Sequence, residues 1–266
     1  MTGHDVDPGP RAPHDHGGPS WWDPLSIRPD RATSETGPVV GVVAILVGSN
    51  IVANEVLPDW AYIPWNIGVA GALVWTARRY GRCTLPELGL SPDRIRDGLR
   101  WGGVAAGAVL AGYLVGAALP LTQELFHDDR AAGTSVGELL WRVLIEIPLG
   151  TVLAEEIMFR GVLPAMFRRR FAAKRNWAVR ADVTAALLFG LWHVLPSLDL
   201  AGANSAFKDL GAAGTVIAIG GSVVGTAAAG LMFSWLRNRS GSVVAPMLLH
   251  WSINAGGFLT AWIVQR

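Results

Sequence analysis

The chain has 266 residues, 51% of them hydrophobic and only 16% charged, with a formal net charge of +1. That balance, with 12 Trp and 32 Gly, points to a membrane protein rather than a soluble domain, and so small a net charge gives no argument for nucleic-acid binding. The single cysteine, Cys83, excludes an internal disulfide framework and leaves the redox compartment unread. Lys occurs only at Lys174 and Lys208, and the bias toward Arg, Ala and Gly fits a GC-rich bacterial genome.

In chain order, residues 1–37 come first. MTGHDVDPGPRAPHDHGGPS is rich in Pro, Gly, Asp and His and has no apolar period. It reads as a disordered cytoplasmic tail, and it lacks the basic start and apolar core of a signal peptide. His4, His14 and His16 read as solvated residues of that tail.

Residues 38–266 read as one all-α domain, a polytopic transmembrane helix bundle. About 20 mostly apolar residues make a spanning helix, and seven stretches qualify. They begin near Val40, then run from Ala61 to Ala77, from Gly102 through GGVAAGAVLAGYLVGAALPL, from Leu139 to Phe167, from Val183 to Leu198, from Ala212 to Leu236, and from Val243 to Val264. Before the third, SPDRIRDGL begins with a capping Ser91 and a Pro at the first helical position; it reads as an amphipathic interfacial helix. The pairs Gly103/Gly107 and Gly221/Gly225 have the GxxxG spacing of close helix contacts.

Loop charges set the orientation. The link between spans two and three holds Arg78, Arg79, Arg82, Arg94, Arg96 and Arg100; that between four and five holds Arg168, Arg169, Arg170, Lys174, Arg175 and Arg180; that between six and seven holds Arg237 and Arg239. The alternate links are poor in basic residues. The N-terminus is therefore expected in the cytoplasm and the C-terminus outside, in a cell membrane.

Three spans carry charges or imidazoles. LAEEIMFRGVLP places Glu155, Glu156 and Arg160 in the fourth, LLFGLWHVLP places His193 in the fifth, and PMLLHWSINAGG places His250 and Asn254 in the seventh. Glu156 precedes Arg168 by 12 residues; His193 follows Asp182 by 11, and His250 follows Arg239 by 11. At 1.5 Å per residue each lies roughly 16–18 Å from a charge at the cytoplasmic side. Intramembrane ionisable groups at one depth indicate a functional site.

Spacing sorts the roles. Glu156 and Arg160, four apart, neutralise each other. Glu155 points about 100° away, free to act as the working carboxylate. His250 and Asn254 share a face and can hold an oxyanion. Phe189 gives His193 an aromatic neighbour. These residue kinds suit acyl hydrolysis by an activated water without a Ser or Cys nucleophile. Glu138, Arg142 and Glu146 read as an i,i+4 charge ladder, and Asn50, Asn54 and Glu55 as capping or lining residues of the first span.

EEIMFR resembles the EExxxR motif of the CPBP intramembrane proteases, the CAAX-processing and bacteriocin-processing group also called Abi. FGLWH resembles its FxxxH motif, HWSIN its HxxxN motif, and SVVAPMLLH the approach to the last. PELGLSPDRIRDGL is similar to the amphipathic segment upstream of the family core. The likeness runs from Leu85 to the C-terminus, with the core motifs within 139–264.

That resemblance implies an α-helical membrane bundle with a cavity open to the cytoplasm and a membrane-associated, in some relatives lipidated, peptide or protein substrate. It implies that Glu155 and His193 activate water, that His250 and Asn254 form the oxyanion hole, and that Glu156 and Arg160 support the site. No cofactor is expected. The alternative is zinc held by Glu155, His193 and His250, with water as fourth ligand. A non-catalytic immunity or scaffold protein is a further reading. A bis-histidine haem carrier leaves EExxxR unexplained, and a proton-coupled transporter lacks the repeats and paired broken helices such folds use.

Overall fold

The structure, a computed structural model, describes residues 36–203 and 211–266. The tail assigned to residues 1–37 lies outside these, apart from its last two residues, as does Lys208. The described residues contain helices and no strand. α1 is Gly37–Glu55, α2 Asp59–Arg79, α3 Leu85–Leu88, α4 Ile95–Ala118 and α5 Pro120–Gln123. A helix of changing winding then covers residues 136–171. It contains α6 (Val136–Trp141), α7 (Leu153–Glu156) and α8 (Leu163–Phe171). α9 is Trp177–Trp192, α10 Val194–Ala203, α11 Gly211–Ser240 and α12 Val244–Val264.

Among the described residues, four helices are long and apolar enough to cross a membrane: Gly37–Glu55, Pro92–Ala118, Gly211–Ser240 and Val244–Val264. Their outward faces are greasy, with Val47 on α1, Val104 and Leu114 on α4, and Val216 and Val224 on α11 all exposed. Such a surface suits hydrocarbon and would be a liability in water. The chain is a membrane protein built from an α-helical bundle.

SPDRIRDGL is not a separate interfacial helix. A 3₁₀ turn over Pro92–Arg94 runs straight into α4, and the Ser91 side chain caps nothing. The capped element lies upstream. Thr84 and Glu87 close a reciprocal capping box around α3, which ends at Gly89 with φ +71°. The expected fifth span is also interrupted: its backbone leaves helical geometry at His193, between α9 and α10.

The helix over 136–171 loosens twice, at Arg142–Val152 and Ile157–Val162, into i→i+5 bonding; Leu153 N bonds Pro148 O, and Leu163 N bonds Met158 O. Prolines account for both places. In α winding the Pro148 ring would press on the Leu144 carbonyl and the Pro164 ring on that of Arg160. Wide turns of this kind concentrate at functional sites, and here they flank the turn carrying Glu155 and Glu156.

The charge ladder on this helix does not form. Glu138 accepts from Ser135 N in a capping box, and Arg142 lies over the Phe258 ring, 5.4 Å from its centroid. The GxxxG pairs make no close contact either: a Cβ at Gly103, Gly107, Gly221 or Gly225 would meet nothing within 4 Å. Other glycines set the helix approaches. A Cβ on Gly190 would lie 2.5 Å from Val223 O, where α9 meets α11, and one on Gly102 would lie 2.7 Å from Ala245 O, where α4 meets α12.

The bundle has two polar ends. At one, Arg169 Nη2 donates to both oxygens of Glu87 at 2.8 Å, and Arg237 Nη2 donates to Glu87 O at 2.6 Å. There too Arg168 Nη2 donates to Asp182 Oδ1 and to Asn238 Oδ1, and Asn238 Nδ2 to Asp182 Oδ2. At the other, Trp262 Nε1 donates to Thr134 O, and Gln265 Nε2 to Asp128 O. The link holding α3 thus gathers with the ends of α8 and α11, and the link after α5 gathers with the C-terminus.

Candidate active site

Glu155 and Glu156 project from α7, and both are buried. Glu156 is fully enclosed. Its Oε1 lies 2.8 Å from His250 Nδ1 and its Oε2 3.4 Å from Arg160 Nε. A buried carboxylate persists only when paired, and here one acid meets two partners. Arg160 is covered as well; its guanidinium lies over the faces of Phe189 and Phe233, 4.0 and 4.8 Å from the ring centroids. Gly230 makes room for it, since a Cβ there would sit 3.3 Å from Arg160 Nη2.

Glu155 is held differently. Trp192 Nε1 donates to its Oε1 at 3.1 Å. Its Oε2 is buried without a hydrogen-bond partner and lies 3.9 Å from His250 Nε2. The carboxylate is thus anchored at one oxygen and free at the other.

Hydrogen-bond donors fix the imidazole tautomers. Phe189 O can only accept, so His193 Nδ1, at 2.8 Å, carries the proton and leaves Nε2 with a lone pair. His250 likewise presents Nδ1–H to the Glu156 carboxylate, and its Nε2 receives the Asn254 amide at 3.1 Å. Phe233 stacks on the His250 ring at 5.2 Å, and Phe189 meets the edges of both imidazoles, at 4.6 Å from His193 and 6.2 Å from His250.

The six residues singled out from the sequence therefore divide. Glu155, Glu156, Arg160, His250 and Asn254 form one contiguous cluster. His193 joins it through Phe189 and through its neighbour Trp192. The imidazole nearest Glu155 is that of His250, not His193. Asn254 is exposed, at the open side of the cluster, while His250 is buried. Among the described residues, no three His, Cys, Asp or Glu side chains come together as a metal site.

Three contributors escaped the sequence reading. Trp192 stands inside FGLWH yet had no role. Phe233, on α11, comes from a span with no polar signal. Asn50 is buried, and its Nδ2 donates to Trp192 O at 3.0 Å. Its polarity within an apolar helix was the available signal, and the capping reading understated it.

Residues 137–256 match the family model described as type II CAAX prenyl endopeptidase Rce1-like. No curated protein and no solved structure matches the chain. The matched segment contains EEIMFR, FGLWH and HWSIN, and thus every residue of the cluster except Asn50. This family points to a protease with a membrane-associated peptide substrate. Over residues 137–256 the chain is thus similar to the Rce1-like CAAX-protease family, the same group that its motifs resemble.

Proposed function

We propose that this chain is an intramembrane endopeptidase that hydrolyses a peptide bond of a membrane-associated peptide or protein near the cytoplasmic half of the bilayer. The observation that carries this reading is Glu155: a buried carboxylate tethered at Oε1 by Trp192, with Oε2 unpartnered beside His250. In this reading, Glu155 Oε2 takes a proton from water, whose oxygen attacks the scissile carbonyl carbon. His193 Nε2, bare in its tautomer, accepts from the same water and orients it. The C–N bond breaks as the proton passes from Glu155 to the departing amine.

The oxyanion falls to Asn254 and His250. The Asn254 amide has one hydrogen engaged by His250 Nε2 and a second to offer. His250 holds the Asn254 amide in place from Nε2, its own Nδ1–H being fixed on the Glu156 carboxylate. Glu156 and Arg160 support the site without touching substrate. The mechanism runs without a metal.

The proposed topology has seven spans, with the Arg-rich end of Glu87, Arg169 and Arg237 in the cytoplasm, the N-terminus on that side and the C-terminus outside. The C-terminus meeting the link after α5 supports that parity. Purified protein in lipid should cleave a fluorogenic peptide bearing a farnesylated CAAX terminus and should keep doing so in chelator. Glu155→Gln and His193→Ala should stop cleavage while the bundle stays folded. A folded Glu155→Ala variant cutting at the wild-type rate would refute the mechanism.

A further inference from the structure

Pro196 lies four residues after Trp192. In a continuing α-helix the Trp192 carbonyl would accept from the N–H of residue 196. Proline has none, and its ring crowds that carbonyl. The helix duly breaks at His193, φ −83° and ψ 3°, and α10 starts at Val194. A carbonyl orphaned in a low-dielectric interior needs another donor. Asn50 of α1 supplies it: the Nδ2–Trp192 O bond is 3.0 Å and spans 142 residues of sequence. The Asn50 amide is oriented in turn by Asn54, whose Nδ2 donates to Asn50 Oδ1 at 2.8 Å.

The same Trp192 carries the indole N–H that holds Glu155 Oε1, and its ring packs edge-on against Phe159 at 5.5 Å. One residue on, His193 is fixed by backbone bonding to Gly190 O and by its ring bond to Phe189 O. Backbone position at 192 therefore sets both the rotamer that reaches Glu155 and the origin of the His193 side chain.

We propose that Asn50 and Trp192 are positioning residues for the water-activating pair: Asn50 replaces the hydrogen bond that Pro196 removes, and Trp192, so placed, fixes the Glu155 carboxylate through its indole N–H. This rests on the proteolytic reading and extends it to α1, outside the family-matched segment 137–256. The first helix is then a working part of the site rather than a membrane anchor.

The test has a spectroscopic arm and a kinetic arm. In protein labelled with ¹⁵N-tryptophan and held in lipid nanodiscs, the Trp192 indole resonance is the one lost in Trp192→Phe. Glu155→Gln, which exchanges the charged acceptor for a neutral one, should move it upfield, and Asn50→Leu should move it as well. A resonance unmoved in Glu155→Gln would overturn the role of Trp192; one unmoved in Asn50→Leu would overturn that of Asn50. Pro196→Ala restores the missing N–H, so in that background Asn50→Leu should shift the resonance far less. An undiminished effect there would refute the substitution of one donor for the other.

On the farnesylated fluorogenic peptide, Trp192→Phe and Asn50→Leu should lower kcat about tenfold with KM within about twofold, as expected for lost alignment rather than lost binding. Should Asn50→Leu fail to fold, Asn50→Asp, the same shape without the amide donor, should give the same split. A change confined to KM would overturn the proposal. If wild-type protein cleaves no peptide, the proteolytic reading fails, whereas the resonance shifts still decide whether Asn50, Trp192 and Glu155 are linked.

Discussion

The bundle buries charge in two places, and the two are built to opposite ends. At the Arg-rich end every oxygen of Glu87 and Asp182 has a donor, from Arg169, Thr84, Arg168 or Asn238. Both oxygens of each acid are engaged, and the two acids tie α3, α8, α9 and α11 together. Deeper in, neither Glu155 Oε2 nor Glu156 Oε2 has a hydrogen bond, but that of Glu156 lies 3.4 Å from the Arg160 guanidinium while that of Glu155 has no guanidinium beside it. The comparison teaches that burial alone does not mark a working acid. What sets Glu155 apart is an oxygen that neither a hydrogen bond nor a guanidinium engages, left free to accept the proton.

The sharpest way to break this contrast is to neutralise one acid from each place. Glu155→Gln should lower kcat by about 10²–10⁴-fold, the range for loss of a positioned base, with thermal unfolding in detergent little changed. Glu87→Gln should do the reverse, and equal losses of rate in both variants would dissolve the distinction.

Next comes the pair that supports the site. Glu156→Ala leaves Arg160 uncompensated between two phenylalanines, and should destabilise the fold by about 3–5 kcal/mol, visible as a lower Tm and poor recovery from the membrane. Unchanged stability would mean that the pair is not the support described. At the Arg-rich end, Asp182→Asn should cost about 1–3 kcal/mol in denaturant unfolding and leave kcat per folded molecule as it was.

The smallest effect concerns Cys83, which lies in the same end region, with its Sγ 3.9 Å from Met166 Sδ. Burial pushes its thiol up to about 12, against a partial opposing pull from Arg169. Because the raised value favours the protonated form, the thiol stays neutral and unreactive from pH 7 to well above 9. Maleimide should label it only after denaturation. Rapid labelling of native protein at pH 8 would show this end to be looser than its hydrogen bonds suggest.

The sequence reading did best along each helix. The residues used as depth marks do lie together: Arg168 and Asp182 form an ion pair at 2.7 Å, and Asn238, neighbour of Arg239, bonds both. Counting inward from them brought Glu156 and His250 to the level at which they meet. The reading did worst sideways. It took Gly103, Gly107, Gly221 and Gly225 as contact faces. The glycines that admit a neighbouring backbone are Gly102 and Gly190. Spacing cannot separate these sets, since every glycine on an apolar helix looks alike until a partner is placed against it.

The residue types of the site, their depth and the charged end they face were written in the order of the amino acids. Helical rise converts residue count into distance, and the cost of burying charge restricts where acids and imidazoles can stand. Which side chains pair was decided only by packing. His250 lies against Glu156, Trp192 on Glu155, Phe233 beneath the imidazole, and Asn50 on a carbonyl freed by Pro196. Those contacts depend on the rotation and lateral placement of whole helices, to which residues far apart in the chain contribute and which no local spacing encodes.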